Sequence, residues 1–399
     1  MNRTLQDAYI VAAARTPIGK SHRGCFRNTR PDDLLAHAIR AALGQVPGFD
    51  VGLIEDAIVG CAVPEAQQGL NLARLAVLRA GLPHRVGGIT VNRFCASGLS
   101  AIAMAADRIR VGEADAVLAG GVESMSLVPM MGHNPSFNPV FLQSNEAIGI
   151  AYGMGLTAEK VAQQWHVSRA DQDAFALQSH QRALAAQASG EPLGIAPFDV
   201  EVRSADLVRG EIRIETQRVE RDEGPRADTS LEALAKLRSP FAANGSVTAG
   251  NSSQTSDGAG ALLLVSAAML ERFKLKPLAR LASFAVRGVA PEIMGMGPKE
   301  AVPIALRAAG IQQYELDRIE LNEAFAAQAL AVMRELDFDA QRVNPVGGAI
   351  ALGHPLGATG AMRATQLLAG MQHHQERWGM VTMCVGSGMG AAAVFERCS

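Results

Sequence analysis

Three reactive side chains stand where short apolar runs give way to turns: Cys95, His354 and Cys384. Cys95 lies in Val91-Asn92-Arg93-Phe94-Cys95-Ala96-Ser97-Gly98-Leu99, after Ile89 to Val91, which reads as the end of a buried strand. Leu99, Ile102, Ala103, Ala106 and Ile109 then recur at three- and four-residue spacing, as one face of a helix requires. A thiol at a helix N-terminus feels the positive end of the dipole and unpaired backbone N–H groups. Both predict a lowered pKa and a nucleophilic thiolate. An inert buried thiol is the commoner fate of a lone cysteine, and this stretch alone leaves both readings open.

His354 is ringed by Gly347, Gly348, Gly353, Gly357 and Gly360, a density that implies backbone crowding rather than a surface turn. A histidine so placed can serve as base to a cysteine if the fold brings the two together. Cys384-Val385-Gly386-Ser387-Gly388 follows the strand-like Met380 to Met383. A thiol there could donate a proton beside a backbone N–H cradle, although standing alone it would read as inert. Asn322-Glu323-Ala324-Phe325 follows directly on the strand-like Ile319 to Leu321. Strand ends of this kind are where open α/β sheets hold their ligands.

The elements that must position these groups alternate between strand and helix. Tyr9 to Ala14 reads as a strand, Pro31 to Leu43 as an amphipathic helix with Pro and acids in its first turn, and Ile54 to Gly60 as a strand. Asn71 to Ala80 reads as a helix, and Ala114 to Ala119 as a strand ending at Gly120-Gly121. Such alternation predicts a layered α/β domain. From Glu123 to Ala249 the texture changes to a Met-, Asn- and Pro-bearing stretch, then helices such as Ser168 to Gln187, then the charged piece Glu201 to Arg226. This predicts an insertion over the core, with the charged piece a solvated face.

At Gly258 to Val265 a buried strand returns, and the chain then starts over. Pro31-Asp32-Asp33-Leu34-Leu35 is echoed by Pro298-Lys299-Glu300-Ala301-Val302, and Ile54-Glu55-Asp56-Ala57-Ile58 by Leu316-Asp317-Arg318-Ile319-Glu320. Cys95 to Ala101 is echoed by His354 to Gly360, and both halves close on a Gly-Ala-rich strand, Gly258 to Val265 and Gly390 to Phe395. A duplicated α/β domain follows, with its halves related by a pseudo-twofold axis. Cys95 and His354 then occupy equivalent turns that can face each other.

Composition narrows the class. The 399 residues exceed one ordinary domain, and five cysteines in scattered positions, none with CxxC spacing, give neither a zinc site nor a disulfide framework. A reducing cytoplasm fits that usage. A formal net charge of −2 gives no reason to expect nucleic acid or a membrane surface as partner. The longest apolar stretch, Ala259 to Leu270, is too short to span a bilayer, and the segment around Asp7 lacks the apolar core of a signal peptide.

Taken together, Val91-Asn92-Arg93-Phe94-Cys95, Gly250-Asn251-Ser252-Ser253 with Ser256-Asp257-Gly258-Ala259, Asn322-Glu323-Ala324-Phe325, Gly347-Gly348 with Gly353-His354-Pro355-Leu356-Gly357, and Cys384-Val385-Gly386-Ser387-Gly388 closely resemble the thiolase family, its degradative 3-oxoacyl-CoA members in particular. The resemblance covers the whole chain. It implies two βαβαβαββ halves in a layered αβαβα core: residues 1–122 with 250–271, residues 272–399, and a loop domain over 123–249. It further implies cleavage of a 3-oxoacyl-CoA to acetyl-CoA and a shortened acyl-CoA. Cys95 would be the nucleophile, His354 its base and Cys384 the proton donor to the departing enolate. Asn322 would hold a water, and the N–H groups of Cys95 and Gly386 would form the oxyanion cradle. For CoA, a substrate, the matching positions are Met154, Phe241, Ala249, Ser253 and Phe325, with Arg226 at the nucleotide phosphates. No metal or redox cofactor is implied.

Short-chain biosynthetic members carry a histidine where this chain has Gly153, before Met154-Gly155, which leaves more room near the acyl group. The alternatives are an acetoacetyl-CoA thiolase running the Claisen condensation, a decarboxylating ketoacyl synthase, and a non-catalytic CoA-binding scaffold subunit. Cys384 and the Asn322 stretch argue against the synthase, and the presence of all three reactive residues argues against the scaffold. The resemblance implies a homodimer or homotetramer, with a hydratase–dehydrogenase subunit as a possible partner.

Overall fold

The computed structural model describes residues 5–144, 148–206 and 209–398. The first half contains β1 (Ala8–Arg15), β2 (Gly19–Lys20), α1 (Pro31–Leu43), β3 (Asp56–Gly60), α2 (Leu72–Arg79), β4 (Ile89–Val91), α3 (Ser97–Arg110) and β5 (Ala116–Ser124). After it come α4 (Met154–Gln164), α5 (Arg169–Ser189), β6 (Phe198–Asp206), β7 (Glu211–Val219) and α6 (Leu231–Ala235). The chain then returns as β8 (Ser256–Ser266) and α7 (Ala267–Phe273). The second half holds β9 (Ala279–Gly288), α8 (Gly297–Ala309), β10 (Arg318–Leu321), α9 (Ala326–Glu335), α10 (Ala349–Leu352), α11 (Leu356–His374), β11 (Trp378–Val385) and β12 (Met389–Arg397).

The expected duplication is visible in the strand order. One half runs β1-β8-β5-β3-β4, the other β9-β12-β11-β10, and the two join through β1 and β9. Val343 pairs in parallel with Ile319 outside β10, as β4 pairs in parallel outside β3. The register repeats as well: Asp56 lies opposite Val117 in the first half, and Arg318 opposite Gly379 in the second.

Both faces of each sheet are buried, so successive residues feed different cores. In β8, Leu262 and Leu264 enter an inner core with α3 and α11, whereas Ala261, Leu263 and Val265 enter an outer core with α1 and α2. In β12, Ala391, Ala393 and Phe395 face the inner core, and Ala392 and Val394 an outer core with α8 and α9. The layers are therefore helix, sheet, paired helices, sheet, helix. The central helices approach closely because of glycine. A Cβ on Gly98 would stand 2.8 Å from Ala361 N and Gly357 O, and one on Gly360 would collide with the Leu99 backbone. This crowding was the expectation for the glycines around His354.

Two boundaries differ from expectation. β5 continues through Gly120-Gly121 to Ser124, because β8 pairs with it along that whole length. The charged piece is solvated as expected over most of its length, but it is built as an antiparallel hairpin, β6 and β7, which the sequence reading did not foresee. Val200 and Val219 anchor its base in the outer core, where Phe198 meets Phe26 edge-on at 5.2 Å. Its outer part is exposed; Leu207 and Val208, inside the charged piece, lie outside the described residues. No helix among the described residues is long and apolar enough to cross a membrane.

Candidate active site

The turn that carries Cys95 is built by its neighbours. The Phe94 N–H donates to Asn92 Oδ1 at 2.8 Å, and the Arg93 N–H donates to Ser97 Oγ at 2.8 Å. Ser97 Oγ in turn donates to Phe94 O at 2.6 Å. These short-range bonds hold Phe94 at φ +42, a conformation a bulky residue adopts only where its surroundings enforce it. Cys95 follows in a single 3-10 turn, Phe94–Ala96, and α3 begins at Ser97.

Cys95 is 9% exposed, and its thiol does not have the lowered pKa expected from the helix N-terminus. Burial pushes it up to about 11; the N–H groups of Gly386 and Cys95 itself pull it partly back, and Glu123 adds to the rise. Desolvation of a thiolate outweighs the local dipoles here. Cys95 therefore rests as a thiol and needs a base.

His354 can be that base. Burial, and then Arg363, lower its pKa to about 3, so the imidazole is neutral at physiological pH. Its Nδ1 lies 2.6 Å from Thr359 Oγ1, and its Nε2 lies 3.4 Å from Asn322 Nδ2. With Asn322 presenting an N–H, Nδ1 carries the imidazole hydrogen and donates it to Thr359. Nε2 then keeps a lone pair for a proton. Asn322 Oδ1 is buried with no hydrogen-bond partner among the described residues, an acceptor left open beside the histidine.

Cys384 is fully buried, and it lies inside β11 rather than after it, one residue before the strand ends. Burial raises its pKa, and the charge of Cys95 is the second cause, so the two sulfurs sense each other. Gly386, just past the end of β11, brings its N–H to Cys95. Cys95, Cys384 and Gly386 thus converge, as do His354 and Asn322, at the end where α11 packs against the Cys95 turn.

Cys95, Gly386 and Leu356 also line a cavity of about 640 Å³ together with Met130, Met131 and Met154. A Cβ on Gly153, another lining residue, would meet nothing within 4 Å. Met125 is not part of this wall; it is buried, and its sulfur accepts the Ser256 N–H at 3.4 Å. Of the positions matched to CoA, Met154 lines the cavity and Phe325 packs beside it in an apolar cluster that also holds Cys384. Phe241 covers Gly155, where any Cβ would strike its ring. The Ser253 N–H donates to Ala324 O at 2.9 Å, and Ala249 is exposed. Arg226 stands outside the cavity wall and is exposed, its guanidinium bonded to Asp228 at 2.9 and 3.1 Å.

Two groups escaped the sequence reading. The Glu123 carboxylate accepts N–H groups from Ala62 and Gly357, both at 2.8 Å, and so ties the turn after β3 to the start of α11. Its position two residues past Gly120-Gly121 was the available signal. Thr359, five residues after His354, sets the tautomer and is a positioning residue. Thr359→Val should lower kcat by roughly 10–100-fold, the equivalent of one buried donor left unpaired, with little change in KM. Thr359→Ser should restore activity. Equal loss in both variants would show that packing, not the hydroxyl, matters.

Residues 8–268 match the thiolase N-terminal domain and residues 275–397 the thiolase C-terminal domain. A protein of Bacillus subtilis (strain 168) named 3-ketoacyl-CoA thiolase is 50% identical over 396 residues, 99% of this chain and 100% of its own. One of Escherichia coli (strain K12) named 3-oxoadipyl-CoA/3-oxo-5,6-dehydrosuberyl-CoA thiolase is 42% identical over 409 residues, 98% of this chain and 100% of its own. The crystal structure of human mitochondrial 3-ketoacyl-CoA thiolase superposes with a TM-score of 0.88 at 34% identity, covering 98% of this chain and 99% of that one. With both halves matched and the duplicated sheets in place, the chain belongs to the thiolase family.

Proposed function

We propose that the protein is a 3-oxoacyl-CoA thiolase acting in fatty-acid degradation, an acyltransferase that cleaves 3-oxoacyl-CoA with CoA. The observation that carries the reading is the meeting of a buried Cys95, a second buried thiol at Cys384 and the Gly386 N–H, with Cys95 and Gly386 lining an apolar cavity. His354 takes the Cys95 proton at Nε2 as the sulfur attacks the 3-oxo carbon. The N–H groups of Cys95 and Gly386 stabilise the tetrahedral oxyanion, each such donor contributing about 3 kcal/mol in comparable sites. The C2–C3 bond then breaks, and Cys384 protonates the departing enolate of acetyl-CoA, whose oxygen meets His354 and a water held by Asn322. CoA loses its thiol proton to Cys384 or His354 and takes the acyl group from Cys95.

CoA is a substrate here. Met154, Phe241, Ala249, Ser253 and Phe325 flank its pantetheine arm, and Arg226 leaves Asp228 to meet the nucleotide phosphates. Residues 1–122 with 250–271 and residues 272–399 are the two halves, and 123–249 the cover over the CoA site. The edge strand β4, whose outer side has no strand partner among the described residues and whose Ile89 is 43% exposed, supports a homodimer formed across that edge; sedimentation velocity checks it. Five free cysteines support a cytoplasmic protein.

Thiolysis of 3-oxoacyl-CoAs from C4 to C16 tests the function. The open space at Gly153 supports a kcat/KM that holds or rises from C4 to medium chains, since each buried CH₂ can contribute about 0.8 kcal/mol. Gly153→His should shift preference toward C4. A tenfold preference of the unmodified protein for acetoacetyl-CoA would favour the short-chain alternative instead.

A further inference from the structure

The cavity beside Cys95 is apolar along most of its wall. Among the described residues that line it, Glu65 alone carries a charge. No Lys, Arg or His among the described residues forms an ion pair with it. Its Oε1 accepts the His133 N–H at 2.9 Å, and the carboxylate packs so closely on Gly132, at φ +84, that no other residue would fit there. Glu65 thus does two things. It fastens the turn after Met130 and Met131, which line the wall, and it sets an uncompensated negative charge on the cavity beside Cys95.

A fatty acyl chain has nothing for that charge to act on. An acyl chain ending in a carboxylate brings a second negative charge beside the half-buried Glu65, and the two like charges repel across a wall that solvent only partly screens. Among the described residues the wall offers no cation to offset it. We propose that Glu65 is a specificity-determining residue that restricts this protein to 3-oxoacyl-CoAs with uncharged chains and rejects ω-carboxylated ones. This rests on the thiolase reading above and goes beyond it by setting the substrate class.

The test compares substrates of equal length: 3-oxohexanoyl-CoA with 3-oxoadipyl-CoA, and 3-oxooctanoyl-CoA with 3-oxosuberyl-CoA. In the wild type the uncharged member should lead by at least tenfold in kcat/KM at the length that sets its terminal carboxylate against Glu65. Glu65→Gln keeps an oxygen for the His133 N–H and removes the charge. It should cut that ratio at least fivefold, whatever it does to the absolute rates. Ratios within twofold of one in the wild type, or an unchanged ratio in Glu65→Gln, would overturn the inference. A binding measurement by calorimetry, with hexanoyl-CoA against adipyl-CoA and octanoyl-CoA against suberyl-CoA, separates the two claims. If no substrate is cleaved but the uncharged ligands still bind at least tenfold more tightly, and Glu65→Gln erases the difference, the catalytic reading fails and the role of Glu65 stands. If charged and uncharged ligands bind alike, the role of Glu65 fails whether or not catalysis is seen.

Discussion

Cys95→Ser is expected to abolish acyl-enzyme formation and to lower kcat by about 10⁴-fold or more, the loss typical of removing a nucleophile from such machinery. Incubating the wild type with an acyl-CoA and mapping peptides by mass should find the acyl group on Cys95; label on Cys384 or Cys61 would sink the assignment. The pH behaviour follows from burial. With the Cys95 pKa pushed up to about 11, the free thiolate at pH 7 is roughly one part in 10⁴, and its alkylation by iodoacetamide should climb about tenfold per pH unit from 7 to 10. A rate already level at pH 8 would contradict the raised value. During turnover the thiolate need not preexist, because His354, neutral down to about pH 3, takes the proton as the bond to the substrate forms.

Cys384→Ser should fail in a different way. Acylation of Cys95 from an acyl-CoA needs only the nucleophile, its base and the oxyanion cradle, so it persists at a reduced rate. Carbon–carbon cleavage needs a proton delivered to the acetyl-CoA enolate, and its reverse needs one removed. Loss of the thiol should therefore lower thiolysis, and exchange of the α-protons of acetyl-CoA into solvent, by about 10²- to 10⁴-fold. Burial raises the Cys384 pKa, which keeps the group protonated and ready to donate; a serine at that position is a far weaker acid. Wild-type exchange in Cys384→Ser would rule the donor role out.

Much of this was legible from one-dimensional pattern. α1 begins and ends at Pro31 and Leu43 as its first-turn proline and acids predict, and the echo between the two halves anticipated the repeated strand order. The hairpin was missed although Glu211-Ile212-Arg213-Ile214-Glu215 alternates with period two, a strand signal that charge obscured. Ile212 and Ile214 are exposed, so the alternation there marks a sheet face outside the core.

The sequence by itself determined the reactive types, their turns and the duplication, because each is written in local spacing. Only the tertiary structure decided their chemical state. The pKa of Cys95 depends on how much water the packed helices α3 and α11 exclude, and desolvation of a charge is set by distant chain segments rather than by neighbours in sequence. The tautomer of His354 likewise depends on Thr359 and Asn322, and the second of these reaches it from the end of another strand. Glu65 became part of the cavity wall beside Cys95 only because the turn after β3 folds against the turn at Gly132, a contact between segments that no periodicity connects.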